Sequence, residues 1–161
     1  MRIGIISDTH SRYETVDKVV ALLRERGVDL VLHCGDIEDE GVVERLRDFP
    51  AHFVFGNCDT YRDDLRKAIE DCGLTLHEPF GNLELEGCKI AFLHGDDKHL
   101  MLDVENSGYF DFLFYGHTHE AREHRTGPTR VINPGALHRA RPKTFLVLDL
   151  ATGATEAVTV E

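Results

Sequence analysis

The 161-residue chain predicts an α/β fold in which two packed β-sheets are flanked by helices. In its first half, buried-strand patterns alternate with amphipathic helix patterns, which is typical of parallel βα units. In its second half, alternating polar and apolar residues separated by glycine turns indicate mostly antiparallel strands. No internal repeat, low-complexity tract or linker interrupts these patterns, so we expect one domain over residues 1–161.

Three strands and three helices alternate in the first half. Apolar residues at 3–6 predict the first strand. The first helix has an apolar stripe at Val16, Val19, Val20 and Leu23, and Gly27 is a suitable end for it. The elements that follow are a strand at 29–33, a short helix at 42–47 closed by Pro50, a strand at 52–55, and a helix at 62–71 ended by Gly73.

A hairpin opens the second half. Leu83 and Leu85 alternate with polar residues, and Gly87 turns the chain into an apolar strand at 89–93. The remaining elements are a helix at 98–105 and strands at 111–115, 129–132, 144–150 and 154–160, with Thr152-Gly153 as a tight turn before the last strand.

Composition limits the partners and the location. The formal net charge of -11 argues against stable binding to nucleic acid, which requires a basic face. The four cysteines form no CxxC pair, so neither a thiolate zinc site nor a thioredoxin-like motif is indicated. The sequence shows no signal peptide, and no apolar run approaches the roughly 20 residues of a membrane span. We therefore expect a cytoplasmic protein without a membrane partner.

Five short polar clusters each follow a predicted strand. They are Asp8-Thr9-His10, Gly35-Asp36, Gly56-Asn57-Cys58-Asp59, His94-Gly95 and Gly116-His117-Thr118-His119. Ligands of open α/β sheets bind beyond the carboxyl ends of the strands, so one edge should collect two carboxylates, four imidazoles and a carboxamide. Such a set is too large for one ion and suits two ions that share a ligand, which is an arrangement that clamps an in-line phosphoryl displacement.

Each cluster also has an ordinary structural explanation. Asp8 could cap a helix, while Gly35-Asp36 and Gly56-Asn57 could form simple turns. The pair Asp8 and His10 is spaced by two, as is the pair His117 and His119, so an extended backbone would point both members of each pair to the same side. Because neutral imidazole is the commonest metal-ligating side chain, the five clusters together favour a metal site.

Six other histidines are interpreted as structural or solvated; they are His33, His52, His77, His99, His124 and His138.

The order of the clusters resembles the calcineurin-like metallophosphoesterases, whose pattern is D-x-H, G-D, G-N-[HC]-[DE], H-G and G-H-x-H. The short chain and Cys58 are similar to the small single-domain YfcE-type phosphodiesterases. The resemblance extends from Asp8 to Pro134-Gly135. It implies a four-layer αββα sandwich with a dinuclear metal centre between the sheets.

The resemblance also implies how the ligands are divided. One ion would be bound by Asp8, His10 and His119, the other by Asn57, His94 and His117, and both by Asp36. The catalytic residues would be Asp36, Asn57 and His94, together with a metal-bridging hydroxide that attacks phosphorus. The implied reaction is the hydrolysis of a small phosphodiester, and relatives suggest a homodimer or homotetramer.

The ligand types themselves indicate the metals. Mixed carboxylate, imidazole and carboxamide ligands suit two divalent transition-metal ions, with Mn²⁺ expected first and Fe, Ni, Co or Zn as alternatives. Two such ions lower the pKa of a bridging water to supply hydroxide near neutral pH. No Ser-His-Asp or Cys-His set stands out as an alternative nucleophile.

Three positions depart from the broader family. Cys58 stands where histidine is frequent, Asp96 replaces a second histidine, and Ala136 ends the late Asn-Pro-Gly segment in place of serine. Cys58 and Asp59 would lie either behind the metal ligands or at the leaving-group position, where a thiol is a poor general acid. His99 or His138 could supply the proton instead.

Four downstream arginines could contact phosphate, but a solvated surface is the preferred interpretation for each. They are Arg122, Arg125, Arg139 and Arg141.

Two other functions compete with the enzyme. An interaction scaffold would resemble the small retromer subunit of eukaryotes, which works by binding partners. Such a scaffold could lose its histidines, whereas all four histidines of the clusters are present here. An acidic pocket of the response-regulator type would explain Asp8 and Asp36 but would leave those four histidines unexplained.

Overall fold

Two β-sheets pack face to face, and helices cover both outer faces. The computed structural model describes residues 1–161. The helices are α1 (Tyr13–Glu25), α2 (Glu40–Leu46), α3 (Arg62–Asp71) and α4 (Lys98–Asn106). The strands are β1 (Arg2–Ile6), β2 (Leu30–His33), β3 (Ala51–Phe53), β4 (Thr75–Leu76), β5 (Phe80–Leu85), β6 (Cys88–Leu93), β7 (Phe112–Phe114), β8 (Arg122–Thr126), β9 (Thr129–Asn133), β10 (Lys143–Asp149) and β11 (Ala154–Val160).

The first sheet has six strands in the order β11-β10-β1-β2-β3-β4. The strands from β1 to β4 are parallel, as expected of the βα units, while β10 pairs antiparallel with both β1 and β11. Helices α1, α2 and α3 bury their apolar stripes against its outer face, for example through Val19, Val43 and Leu65.

The second sheet has five strands in the order β5-β6-β7-β9-β8. Strands β6, β7 and β9 are parallel, and β5 and β8 form antiparallel edges. Helix α4 covers its outer face, where Val104 packs with Leu113 and Val131. None of the four helices is long and apolar enough to cross a membrane.

The inner faces of the two sheets share one apolar core. Ile5 pairs with Leu32 of β2 and Leu146 of β10, and this register turns all three side chains toward the second sheet. They meet Phe92 and Phe114 from β6 and β7. The resulting αββα layering confirms the expected sandwich.

Most predicted elements lie within two residues of those observed, and the helix at 62–71 matches at both ends. Two strands were not predicted. The first, β4, has only two residues, and the second, β8, is an edge strand of mostly charged and polar residues without an apolar alternation. The predicted strand at 52–55 ends early, because the amide of Phe55 donates to the carbonyl of Glu78 outside the ladder (2.7 Å).

Candidate metal centre

The five clusters meet at one edge of the sandwich. The loops after β1, β2 and β3 face the loops after β6 and β7, and backbone hydrogen bonds join them within each sheet. The amide of Asp8 donates to the carbonyl of Gly35 (3.0 Å), and the amide of Gly116 donates to that of His94 (2.9 Å). The fold therefore brings side chains together that are up to 111 residues apart in sequence.

Asp8, His10 and His119 form a first group of side chains that could hold a metal ion, called here the first ligand group. Asp8 Oδ1 lies 3.2 Å from His119 Nε2 and 3.8 Å from His10 Nε2. The three side chains can offer one ligand atom each within 4.8 Å of one another. This spacing suits a single cation held between them.

Asn57, His94 and His117 form the second group. Asn57 Oδ1 lies 3.0 Å from His94 Nε2 and 3.1 Å from His117 Nδ1. All three side chains therefore converge on one point at the ends of β3, β6 and β7.

Asp36 lies between the two groups. Its Oδ2 is 3.4 Å from Nε2 of His10 and 3.4 Å from Nε2 of His94. Its Oδ1 accepts from the amide of Cys58 at 2.9 Å, which fixes the orientation of the carboxylate. One carboxylate is thus in reach of both ligand groups.

The local backbone differs from the one assumed in the sequence analysis. Asp8 and His10 have φ values of 56° and 45°, and His117 and His119 have values of 68° and 61°. The expectation that an extended backbone points each pair to the same side was wrong, because left-handed turns bring the side chains together instead. Non-glycine residues held in sparsely populated regions each cost about 1–3 kcal/mol and cluster at functional sites.

Two glycines permit the close approach of these loops. A Cβ atom at Gly56 would lie 2.1 Å from Asp36 Oδ1, and one at Gly116 would lie 1.9 Å from Ser7 Oγ. Neither position has room for a side chain, so the carboxylates of Asp36 and Asp8 could not keep their places beside any other residue.

Hydrogen bonds fix the tautomers of two histidines. His94 Nδ1 donates to the carbonyl of Cys34 (2.8 Å), and His10 Nδ1 donates to Glu38 Oε1 (2.7 Å). In the neutral ring, each Nε2 then keeps its lone pair and faces Asp36. Such outer hydrogen bonds are usual for metal-ligating histidines.

The site as a whole attracts positive charge. Asp8 Oδ1 and His10 Nε2 are buried and have no hydrogen-bond partner. Burial lowers the pKa of His10, but the neighbouring carboxylates of Asp8, Glu38 and Asp36 outweigh this and raise it to about 9. Burial raises the pKa of Asp36, but the hydrogen bond and charge of His94 hold it below its usual range. The carboxylate and imidazole side chains, with the unpartnered atoms of Asp8 and His10, therefore fit divalent cations.

Asp59 is buried among the loops after β2 and β3. Its buried carboxylate accepts four backbone hydrogen bonds, from the amides of Asp36 (3.0 Å), Ile37 (2.8 Å), Glu38 (2.8 Å) and Gly56 (2.7 Å). It therefore clamps the loop after β2 to the loop after β3. This contact positions the candidate ligands Asp36 and Asn57.

Cys58 is half-buried beside Asp36. Burial and the Asp36 carboxylate raise the pKa of its thiol to about 11. Asn57 Nδ2 lies 3.7 Å from its sulfur. The side chain is thus a neutral thiol that lies next to Asn57 of the second ligand group.

A cavity of about 380 Å³ opens above the ligands. Its wall is formed by His10, Arg12, Asp36, Glu38, Asn57, His117, His119, His138 and Arg139, and none of these is hydrophobic. Arg139, expected on a solvated surface, is exposed but lines this cavity. Arg12 and Glu38 were not singled out from the sequence, and their only signal is that each lies two residues beyond a cluster.

The other candidates lie elsewhere. Arg122, Arg125 and Arg141 are exposed outside the cavity wall, as expected. His99 is exposed at the start of α4 and does not line the cavity, while Asp96 borders a smaller cavity beside His94.

His33 has the structural role expected of it. It is fully buried, its Nδ1 accepts from the amide of Gly35 (3.2 Å), and its Nε2 donates to Thr9 Oγ1 (3.0 Å). Burial lowers its pKa to about 3, so the ring is neutral. His33 thereby ties the loop after β1 to the loop after β2.

A sandwich that gathers carboxylates, imidazoles and a carboxamide at one edge is the architecture of a metal-dependent hydrolase. Residues 1–153 match the calcineurin-like phosphoesterase superfamily domain. The chain therefore belongs to the calcineurin-like phosphoesterase superfamily. This confirms the resemblance noted in the sequence and places the chain among the hydrolases of phosphoric esters.

Relatives and solved structures agree. Phosphodiesterase MJ0936 of Methanocaldococcus jannaschii is 30% identical over 138 residues, which are 84% of this chain and 83% of that protein. The structure of an archaeal phosphodiesterase superposes with a TM-score of 0.92 at 27% identity, covering 99% of this chain and 100% of the other.

More distant structures share the fold. The YfcE phosphoesterase of E. coli has a TM-score of 0.72 at 21% identity, with full coverage of both chains. Vps29 of Entamoeba histolytica, solved with Zn²⁺, has a TM-score of 0.67 at 19% identity, covering 99% of this chain and 98% of the other. At these identities the likeness concerns the fold alone.

Proposed function

We propose that this chain is a metal-dependent phosphodiesterase that hydrolyses small phosphodiesters at a dinuclear centre. The observation that carries the proposal is the position of Asp36, whose Oδ2 lies 3.4 Å from Nε2 of both His10 and His94. A carboxylate in reach of two ligand groups suits a shared ligand between two ions. The relative named a phosphodiesterase supports the choice of a diester over a monoester.

Seven residues would hold the two ions. The first ion would be held by Asp8, His10 and His119, the second by Asn57, His94 and His117, and both by Asp36. Mn²⁺ is the metal we expect, with Fe, Ni, Co or Zn as alternatives. When bound, the pair would lower the pKa of water to supply a nucleophile and would offset charge on the phosphoryl oxygens.

The residues of the chain hold the proposed ligands in position for this chemistry. Asp36, Asn57 and His94 present their ligand atoms from three different loops, and the clamp of Asp59 holds two of those loops together. The exposed cavity admits a polar substrate and water. Because a thiol is a poor match to the general-acid role, Cys58 protonates a departing alkoxide poorly, so esters with acidic leaving groups should react fastest.

The competing function is a scaffold of the same fold, as the likeness to Vps29 illustrates. The complete ligand set and the unpaired atoms of Asp8 and His10 favour the enzyme, since a surface that only binds proteins has no use for them. We also propose that residues 1–161 act as one domain. The homodimer or homotetramer and the cytoplasmic location stay predictions.

The decisive experiment counts ions and measures turnover in the same samples. Protein stripped with chelator and reloaded with Mn²⁺ should hold two ions per chain by elemental analysis and should hydrolyse an aryl phosphodiester. Asp36→Asn should lose occupancy at both positions, whereas His10→Ala should mainly weaken one. His99→Ala is the matched control, because His99 lies outside the cavity. At most one ion in fully loaded protein would refute the dinuclear centre, and full activity after stripping would refute metal dependence.

A further inference from the structure

One wall of the cavity carries positive charge. Arg12 precedes α1, and His138 and Arg139 lie on the loop between β9 and β10. None of the nine residues that line the whole cavity is hydrophobic. Sites for nucleobases or acyl chains are lined mostly by apolar and aromatic groups, so this wall suits a charged part of the substrate.

The two arginines lack acidic partners, although the chain has 29 acidic residues and only 18 lysines and arginines. Six of the other eleven arginines lie within 4.0 Å of a carboxylate: Arg2, Arg24, Arg26, Arg45, Arg66 and Arg130. Neither Arg12 nor Arg139 forms such a pair. Two uncompensated guanidinium groups beside one cavity are a suitable binding surface for an anion.

His138 extends the same surface. Arg12 Nε donates to His138 Nδ1 (3.2 Å), so a neutral His138 carries its proton on Nε2 and is a further donor. The His138 ring lies 5.0 Å from that of His10, which places this surface beside the first ligand group.

Glu38 is the one carboxylate of the wall outside the ligand set, and its charge is already engaged. Its Oε1 accepts from His10 Nδ1 (2.7 Å), and its Oε2 accepts from Ser11 Oγ (3.4 Å). Neither oxygen of Glu38 forms an ion pair with Arg12 or Arg139, and its one ion-pair partner is His10.

We infer that Arg12, His138 and Arg139 form a subsite for a second anionic group of the substrate, a carboxylate or a phosphate on the ester arm that does not leave. The inference rests on the proposed function. The reacting phosphoryl group lies over the metal ligands, whose ions offset its charge, so the arginines are left for the adjacent arm. The preferred substrates are small diesters with an added charge, and nucleoside esters without one are poor substrates.

Three esters with the same p-nitrophenolate leaving group test this inference. Their second arms are ethyl, 2-carboxyethyl and 2-phosphonoethyl. A charge-assisted contact predicts a kcat/KM about tenfold higher for at least one charged ester, mostly through KM. The charged arm that gives the higher kcat/KM identifies the anionic group that the subsite prefers. Equal values for all three would overturn the subsite.

Arginine variants separate the subsite from general phosphate binding. Arg12→Gln and Arg139→Gln should remove the preference for the charged arm, so that kcat/KM for the charged esters falls about tenfold more than kcat/KM for the ethyl ester. Arg125→Gln, an exposed arginine outside the cavity, should change neither value. Equal losses on charged and ethyl esters would also overturn the subsite, because the arginines would then contact the reacting phosphoryl group.

Calorimetry gives a readout that does not depend on turnover. With and without Mn²⁺, 2-carboxyethylphosphonate should bind about tenfold more tightly than ethylphosphonate, and both arginine variants should lose the difference. If neither metal-loaded protein nor any variant hydrolyses the esters, the proposed function fails, while this comparison still decides on the subsite. Equal affinity for the two phosphonates would refute it.

Discussion

The carboxylate of Asp59 allows a sharp test of how the ligand loops are held. It is 2% exposed and accepts four amide hydrogen bonds from the loops after β2 and β3. Asp59→Asn keeps the shape of the side chain but replaces one acceptor oxygen with an amide nitrogen. Two backbone donors then face another donor and lose their partner, whichever way the amide turns.

The magnitude follows from those two bonds. A hydrogen bond to a charged group contributes about 1.5–3 kcal/mol, so two lost bonds amount to about 3–6 kcal/mol. Burial raises the pKa of Asp59 in spite of its amide partners. The stability that the amide bonds contribute is therefore partly offset by the free-energy cost of burying the charge. We therefore expect a loss of about 3 kcal/mol, a large share of a stability of about 5–15 kcal/mol.

Urea denaturation of stripped protein measures this loss as a lower midpoint with an unchanged slope. The affinity for Mn²⁺ should fall as well, because the clamp joins the loops that carry Asp36 and Asn57. Asp103→Asn is the matched control, since Asp103 is exposed on α4 and forms no ion pair, and such surface changes stay within about 0.5 kcal/mol. If Asp59→Asn were as stable as that control, the four amide bonds would not hold the loops.

Three further predictions concern the site and its surroundings. Gly116→Ala should abolish metal binding, because its Cβ would lie 1.9 Å from Ser7 Oγ. Gly108→Ala is the control: its φ of 67° also strains the backbone, but open space surrounds it, so this variant should retain metal. Equal metal binding by both variants would contradict the clash. Cys58→His should flatten a steep dependence of rate on leaving-group pKa by supplying a general acid, and a flat dependence in wild type would exclude that account. His33 has a pKa of about 3 in the folded chain and about 6.5 unfolded, so protonation of the unfolded state removes stability as pH falls below about 6.5. At pH 5 the free energy of unfolding is lower by about 2 kcal/mol for this reason. Urea denaturation of His33→Gln at pH 5 and pH 7 should show no such decrease. If the stability of wild type and variant depended on pH in the same way, His33 would not be the cause.

The sequence by itself determined the layers and the ligand types. Alternation of apolar and polar residues sets the face that each strand or helix buries, so the βα units, the hairpin and the final strands could be recognised without tertiary contacts. The five clusters follow strands, and parallel strands end at a common edge, so their meeting could be predicted too. β8 escaped prediction because its neighbour β9, and not its own composition, holds it in the sheet.

Only the tertiary structure decided how the site is assembled. The left-handed turns at Asp8 and His117 depend on contacts between loops, since local preference disfavours φ above 0° for such residues. The bond from the Glu38 amide to Asp59 joins residues 21 positions apart, and the bond from Arg12 to His138 joins residues 126 positions apart. No local pattern encodes such pairs. Sequence patterns specify which groups are buried or offered at a strand end, whereas distances between loops arise from packing of the whole chain.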